Sequence, residues 1–434
     1  MKIALVHDDF IQSGGAENLF AAIAQIWSEA PIYTSLVDWN KLPATISRNR
    51  VRPSFLQIFQ KYAIARKWYK FLLPLYPIAF ESFNFNDFDL VISSTTRFAK
   101  GIITKPKTLH ICYINSVPRF LWSEKAKMEY LPQILRILFS PLLKWLEKWD
   151  KIASTRVDRY IANSKNVAQL VKEHYGIDSE VVYPAVDTDF FQATKGKRSN
   201  DFFLIVTRLV KWKKVEIAIK AAQVLKVNLK IVGTGPDERR LQNIAKNTSS
   251  LNYSLSDPAP YGAGESRSYH TTPRHPELVS GSTLRFRNPF GSIKSDKFGM
   301  TEGNKVSSRQ ARTITNDIEF LGAVSKEQLR NLYQNAKALI VTQEEDFGIA
   351  AVEAQACGLP VIAYSKGGVR EIIIEGQTGL FFSDQSAISL QDAIIRASKV
   401  KWNSTACRNN TLRFSQAEFV SKLKLQVTKY AKFS

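Results

Sequence analysis

The sequence predicts an α/β protein with two parallel-sheet domains, and three observations support this fold class. Short apolar runs typical of buried strands alternate with helical stretches over most of the chain, the pattern of βαβ units. This alternation starts twice, at Ile3 and again at Phe202, which indicates two domains. The length of 434 residues is enough for two large hydrophobic cores.

The first half of the chain is predicted to hold a parallel sheet whose strands are joined by helices. A glycine pair, Gly14-Gly15, lies between the first strand and the first helix. Glycines at such a place let an anion approach the backbone closely. The first domain is predicted to span residues 1–187. Its strands are Ile3–Val6, Pro31–Thr34, Asp89–Ser93, Leu109–Ile114 and Arg159–Ala162.

The second half is predicted to form a second parallel sheet in a domain spanning residues 188–414. Residues 187–200 are predicted to be the linker. The strand that ends at Gly233 leads into a Gly-Thr-Gly-Pro turn. The predicted strands of this half are Phe202–Thr207, Leu229–Gly233, Ile318–Leu321, Ala338–Thr342 and Val361–Tyr364.

An insertion, residues 249–315, interrupts the second domain. It is rich in Ser, Gly, Pro, Arg and Thr and lacks sustained periodicity. That composition predicts disorder rather than a third domain. The predicted helix end at Leu241–Lys246 and the strand Ile318–Leu321 flank it, so the insertion enters a helix–strand connection.

The stretch from Thr342 to Glu375 carries the pattern that is most informative about function. An acidic loop containing Glu344 and Glu345 follows a strand, and Phe347-Gly348 then leads into a helix predicted from Ile349 to Cys357. A second glycine turn, Gly367-Gly368, precedes another helix predicted to begin at Val369. Two strand–loop–helix units therefore each place a glycine where a helix starts.

These two turns predict a site for a nucleotide diphosphate. Backbone N–H groups at helix starts are unpaired and partly positive, which suits a phosphate. Glu345 and Glu353 bracket the first turn, and their carboxylates suit hydroxyl groups. Ligands of open α/β sheets bind outside the carboxyl ends of strands, where these loops lie. The alternative is a solvated acidic loop, and we assign Glu344 to solvent.

Two cations follow the first strand of the second sheet. Arg208 and Lys213 lie just past Phe202–Thr207, near the predicted phosphate-directed helices. Fixed cations at that position would neutralise a leaving diphosphate. The alternative is a solvated basic loop, which would be preferred without the glutamates downstream.

The net charge of +21 indicates an anionic partner: nucleic acid, phospholipid headgroups or a phosphorylated substrate. From Lys41 to Phe80 there are eight Lys or Arg and no Asp or Glu. Arg50–Phe80 and Leu131–Trp149 mix basic and aromatic residues, which suits either an anionic membrane interface or helices that cover the sheet. Both interpretations stay open.

Composition also bounds the compartment and the cofactors. No run of about 18 apolar residues predicts a transmembrane helix. The three cysteines and five histidines show no metal-ligand spacing, so neither a metal nor another cofactor is expected. We expect a cytoplasmic protein that is peripheral on the inner face of the cell membrane if the basic segments bind lipid.

The pattern Glu-x-Phe-Gly-x₄-Glu from Glu345 to Glu353, continuing to Gly367-Gly368, resembles the donor-binding signature of retaining, nucleotide-sugar-dependent glycosyltransferases of family 4. The wording Glu-Glu-Asp-Phe-Gly-Ile resembles bacterial GDP-mannose-dependent mannosyltransferases of surface polysaccharide synthesis. The resemblance implies the GT-B fold, two Rossmann-like domains facing each other across a cleft, with no metal ion. The helix in residues 415–434 would pack back on the first domain.

The same resemblance implies roles for individual residues. Glu353 would bind the ribose and Glu345 the sugar. Asn115 stands where the family has a histidine that contacts the transferred sugar, which is a departure from the pattern. The diphosphate and the rest of the donor would be held by Arg208, Lys213, Gly14, Gly15, Gly233, Phe347, Gly348 and Ile349.

The predicted reaction transfers a hexose, preferably mannose from GDP-mannose, to a hydroxyl of a lipid-linked or growing polysaccharide acceptor. One alternative is a UDP-sugar donor, and another is a transferase impaired by the insertion and by Asn115. A different class, a basic nucleic-acid-binding protein, rests on charge alone. We expect no nucleic-acid partner, because the sequence shows no nucleic-acid motif.

Overall fold

The computed structural model describes residues 1–12, 14–60, 72–123, 139–194, 199–247, 313–315 and 317–431. Almost all of the predicted insertion lies outside these residues. So do residues 61–71 and 131–138 of the two basic, aromatic runs.

The first half folds into a seven-stranded sheet in which every pairing is parallel, in the order β3-β2-β1-β4-β5-β6-β7. The inner strands are apolar along their length because both faces of a parallel sheet are covered. The strands are β1 (Ile3–His7), β2 (Ile32–Thr34), β3 (Val51–Pro53), β4 (Leu90–Thr95), β5 (Leu109–Ile114), β6 (Arg159–Ala162) and β7 (Ser179–Val181).

Helices cover both faces of the first sheet. One core cluster contains Leu5, Ile92 and Phe20 on one face, and another contains Val6, Val91 and Phe98 on the other. The helices are α1 (Gly15–Ile26), α2 (Gln57–Gln60), α3 (Leu75–Glu81), α4 (Arg119–Trp122), α5 (Ser140–Ser154) and α6 (Lys165–Tyr175).

The second half forms another seven-stranded sheet, in the order β10-β11-β9-β8-β12-β13-β14. Only the edge strand β10 is antiparallel to its neighbour among the strands that the structure describes. The strands are β8 (Phe202–Val206), β9 (Asn228–Val232), β10 (Thr313–Thr315), β11 (Ile318–Gly322), β12 (Leu339–Val341), β13 (Val361–Tyr364) and β14 (Gly379–Phe382).

The helices of the second half follow the predicted pattern with one difference. The helix that begins at Val369 ends at Ile372, because Ile373 is extended and the Ile374 amide donates to Thr378 Oγ1 at 2.9 Å. It is therefore a single turn. The helices are α7 (Val215–Leu225), α8 (Glu238–Lys246), α9 (Lys326–Asn335), α10 (Ile349–Ala356), α11 (Val369–Ile372), α12 (Ala387–Ser398), α13 (Ser404–Thr411) and α14 (Gln416–Ala431).

Each sheet has one point where the strand order reverses. It lies between β1 and β4 in the first sheet and between β8 and β12 in the second. Helices leave to opposite faces at such a switch point, which opens a crevice outside the carboxyl ends of the strands. The loops after β1, β4, β8 and β12 are therefore the places to look for ligand-binding residues.

Loops of the two sheets contact each other directly. The Asp346 carboxylate accepts from Arg119 Nη2 at 2.7 Å, and its carbonyl accepts from Ser164 Oγ at 2.6 Å. Glu371 accepts from the amides of Lys165 and Asn166 at 2.9 and 3.0 Å. Glu371 thereby binds unpaired N–H groups at the start of α6, where a negative charge is favourable.

The last helix, α14, packs on the core of the first sheet. Phe419, Leu423 and Val427 are buried there, and the Phe419 ring meets Tyr113 edge to face at 5.8 Å. In the described part of the chain, none of the helices is long and apolar enough to cross a membrane.

We predict that Glu371→Ala loosens the contact between the sheets without unfolding either one. The Lys165 and Asn166 amides lose their acceptor, so their hydrogen exchange should become at least about tenfold faster. Exchange of the β5 amides should not change. Glu173→Ala on the exposed face of α6 is the control. Unchanged exchange at Lys165 and Asn166 would contradict the role of Glu371.

Candidate active site

An ion pair between Lys213 and Glu345 lies at the switch point of the second sheet. Lys213 ends a turn of 3-10 helix after β8, and its Nζ is 2.7 Å from Glu345 Oε1. Gln343 also donates to this carboxylate. Burial by itself would raise the pKa of Glu345, but the charge of Lys213 and these hydrogen bonds lower it below the usual value. Glu345 is therefore ionised at neutral pH.

The two glycine turns predicted from the sequence touch each other. Gly368 N donates to the Glu345 carbonyl at 2.7 Å. A Cβ on Gly367 would lie 2.2 Å from that same oxygen, and its φ of +81° also favours glycine. Gly348 precedes the first residue of α10 with φ of +114°. The turns therefore fix the backbone around Glu345 and the start of α10.

Glu353 lies inside α10, next to Tyr333 of α9. The Tyr333 hydroxyl donates to Glu353 Oε2 at 3.0 Å. Burial raises the pKa of Glu353 to about 7, although the tyrosine hydrogen bond and Lys326 oppose that rise. The Phe347 ring is buried against Tyr183, so only the backbone of Phe347 is left for a ligand.

The loops after β8 and β1 approach each other across the cleft. Arg208 is exposed, and its Nη1 donates to Gln12 Oε1 at 2.9 Å. Gly15 begins α1 opposite Ile349, the first residue of α10, and a Cβ on Gly15 would be 2.8 Å from Ile349 Cδ1. The structure therefore brings these predicted donor-binding residues of the two sheets together, with Gly14 next to Gly15.

Two other predicted residues lie within the sheets' own loops. Asn115 is buried after β5, where its Nδ2 donates to Ser94 Oγ at 3.1 Å. Its carbonyl accepts from Asn163 Nδ2 at 2.9 Å. Gly233 follows β9, and its amide donates to the Gly322 carbonyl at 2.8 Å. Asn115 therefore lies at the first sheet and Gly233 at the second.

The structure adds a residue that our sequence analysis did not assign to the site. Arg119 pairs with Asp346, and its guanidinium lies over the Trp212 ring at 5.1 Å. Lys213 Nζ lies 4.3 Å from the centre of the same ring. Trp212 thus separates two cations at the cleft and interacts favourably with both. The basic run around Trp212 was the available signal.

Two carboxylates of the first sheet were also missed. Asp9 follows β1 and pairs with Arg97, and Glu17 lies in the first turn of α1. Both side chains are buried. Burial raises the pKa of Glu17 to about 7, and the charge of Asp9 contributes to the rise. The sequence shows both residues, but only the fold shows that they lose contact with water.

Comparisons with known proteins identify the class. Residues 13–190 match the family model described as Glycosyltransferase Family 4, and residues 299–413 match the model described as Glycosyl transferases group 1. The second match contains Glu345, Glu353 and both glycine turns. With the two-sheet fold, these matches support a glycosyltransferase of family 4.

Curated relatives show local and longer similarity. A lipopolysaccharide 1,2-N-acetylglucosaminetransferase of Salmonella typhimurium is 35% identical over 113 residues, 25% of this chain and 29% of that protein. An alpha-1,3/1,6-mannosyltransferase ALG2 of Yarrowia lipolytica is 22% identical over 340 residues, 73% of this chain and 65% of that protein. The chain spans less than a third of the length of several curated relatives that it matches.

Solved structures confirm the predicted GT-B fold. Sucrose-phosphate synthase from Thermosynechococcus elongatus superimposes with a TM-score of 0.66 at 15% identity, over 100% of both chains. HepE of Anabaena, solved with UDP and glucose, gives a TM-score of 0.59 at 15% identity over 99% of both chains.

We predict that Glu17→Gln stabilises the protein increasingly as pH rises. The native carboxyl titrates near 7 and the unfolded one near 4.5, so ionisation costs native stability progressively from pH 4.5 to pH 7. Glutamine carries no such penalty, and the gain should reach on the order of 3 kcal/mol above about pH 7. Urea unfolding at several pH values measures it. A gain that does not change with pH would contradict the burial of an ionisable Glu17.

Proposed function

We propose that this protein is a retaining glycosyltransferase that moves a hexose from a nucleotide sugar to a hydroxyl of a saccharide acceptor. The supporting observation is the Lys213–Glu345 pair at the switch point of the second sheet. Arg208 lies in the same loop, and the start of α10 lies beside it. Cations, amides and a carboxylate in one place suit a diphosphate attached to a polyhydroxylated sugar.

Each group has a role that follows from its chemistry. The sugar's anomeric carbon exchanges its bond to the diphosphate for a bond to the acceptor oxygen, so negative charge grows on the diphosphate. Arg208, Lys213 and the amides of Gly348 and Ile349 stabilise that charge, which makes them the main contributors to rate. Glu345 binds a sugar hydroxyl.

Glu353 binds the ribose hydroxyls, and Tyr333 orients its carboxylate. The proposed reaction uses no metal ion and no cofactor.

We favour mannose from GDP-mannose as the donor. The Glu344–Ile349 wording and the similarity to a mannosyltransferase over 73% of this chain support it. HepE, solved with UDP and glucose, supports the alternative of a UDP-sugar.

The direct test measures hydrolysis and transfer side by side with GDP-mannose, UDP-glucose and UDP-N-acetylglucosamine. We expect turnover of GDP-mannose to exceed the others. Preference for a UDP-sugar would select the alternative donor, and no turnover of any donor would contradict the proposed activity.

The acceptor we propose is lipid-linked, at an anionic membrane surface that the first domain binds peripherally on its cytoplasmic side. The exposed face of α5 carries Lys144, Lys148 and Lys151 beside Trp145 and Ile152, which are 44% and 59% exposed. Basic residues interleaved with exposed apolar ones suit headgroups and the acyl boundary beneath them.

Removing one cation of the diphosphate site should slow turnover without unfolding the protein. We predict that Arg208→Ala and Lys213→Ala each lower kcat by about 10²-fold, as expected for loss of one transition-state donor. Lys211→Ala is the matched control, because Lys211 is exposed in the same turn. It should stay within about twofold. Near-normal turnover of both site variants would rule out the assigned role.

Charge reversal on α5 should release the protein from anionic vesicles. Each lysine contributes about 1 kcal/mol near such a surface, so Lys144, Lys148 and Lys151 changed together to Glu should lower partitioning by more than about tenfold. The control reverses the exposed lysines Lys226, Lys399 and Lys401 of the second domain. Equal losses in both variants would show that only net charge matters, against a docking face on α5.

A further inference from the structure

A polar cluster with unused hydrogen-bonding capacity lies at the switch point of the first sheet. Asp9 follows β1, Arg97 follows β4, and Glu17 lies in the first turn of α1. Arg97 donates to Asp9 Oδ2, and Gln12 of the same loop accepts from Arg208 of the second domain. The cluster therefore faces the cleft where the two sheets meet.

Two carboxylate oxygens of this cluster are buried without a partner. Asp9 Oδ1 and Glu17 Oε2 find no hydrogen-bond donor in the described structure. The residues are only 1% and 3% exposed. A buried acceptor that makes no hydrogen bond is costly, and native proteins leave few of them. Two on neighbouring elements, at a ligand-binding crevice, indicate that a bound molecule supplies the donors.

The surrounding loop is built to hold this arrangement. Asp8 accepts from the amides of residues 96–99 and from the hydroxyls of Thr95 and Thr96, at 2.6–3.0 Å. Lys100 Nζ donates to the Arg97 carbonyl at 2.9 Å and pairs with the buried Asp150. These bonds fix the backbone that positions Arg97. The cluster is therefore preorganised rather than a loose surface group.

Access comes from the glycine loop. A Cβ on Gly14 would lie 3.0 Å from Glu17 Oε2, so the absence of a side chain there leaves the oxygen approachable. The backbone of Gly14 is extended, with φ of −154°, and alanine could adopt it. Gly14→Ala therefore blocks the oxygen without changing charge or backbone conformation.

The chemistry of the cluster selects a neutral polyol. Two carboxylates repel an anion, and Arg97 opposes a metal cation. Neighbouring hydroxyls of a sugar donate to carboxylate oxygens and accept from a guanidinium, which matches Asp9, Glu17 and Arg97 together. We propose that this cluster binds hydroxyls of a sugar unit of the acceptor. Only the word acceptor rests on the proposed transferase function.

The test is sugar binding, measured independently of turnover. The probes are the methyl glycosides of mannose, glucose and galactose, titrated by saturation-transfer NMR with saturating GDP or UDP at about pH 8, where Glu17 is ionised. The wild type should bind at least one glycoside. Glu17→Gln and Gly14→Ala should each weaken binding by about tenfold or more, as expected for hydrogen bonds to a charged group.

Matched variants make each outcome decisive. Glu29→Gln, an exposed glutamate just beyond the far end of α1, should bind as the wild type does. Melting temperatures and nucleotide affinity report folding. No glycoside binding to the wild type, or wild-type affinity in both Glu17→Gln and Gly14→Ala, overturns the proposal. If donors are not turned over but binding depends on Glu17, the transferase function fails and this site stands.

Discussion

The pairing of Lys213 with Glu345 is the interaction on which the organisation of the site depends. Each charge lies in a partly buried place, and removing one partner would leave the other uncompensated. Several features converge on the pair: the turn after β8 carries Lys213, the loop after β12 carries Glu345, and Gly367-Gly368 packs against the Glu345 backbone. The same loop reaches the first domain through Asp346 and Arg119. A cation and a carboxylate are thereby held ready at one edge of the sheet.

The two domains use their switch points in different ways. The second presents cations and helix-start amides, which suit a charged diphosphate. The first presents buried carboxylates around one arginine, with Glu17 kept at a cost in stability above neutral pH. Gln12 and Arg208 join the two across the cleft. A division between a donor half and an acceptor half follows from these two sets of groups.

Much of the fold could be predicted from the sequence because buried parallel strands are continuous apolar runs. β5, β6 and β13 begin and end at the predicted residues. The short helix α11 was predicted too long, because the hydrogen bond from Ile374 to Thr378 that accompanies the extended chain is invisible in the apolar run Val369–Ile374.

The site was only partly predictable. The spacing of Glu345 and Glu353 was visible, but the Tyr333 partner of Glu353 comes from another helix. Asp9 and Glu17 are visible in the sequence, but their burial and missing partners depend on how β1, β4 and α1 pack. Such tertiary effects on burial and pKa have no local signature.

The most direct test of the account is a crystal structure of the protein with bound GDP or UDP. The account predicts the diphosphate within about 3 Å of Arg208 and Lys213 and of the amides at the start of α10, with the ribose hydroxyls on Glu353. A nucleotide bound elsewhere, or a diphosphate held without Arg208 and Lys213, would contradict it.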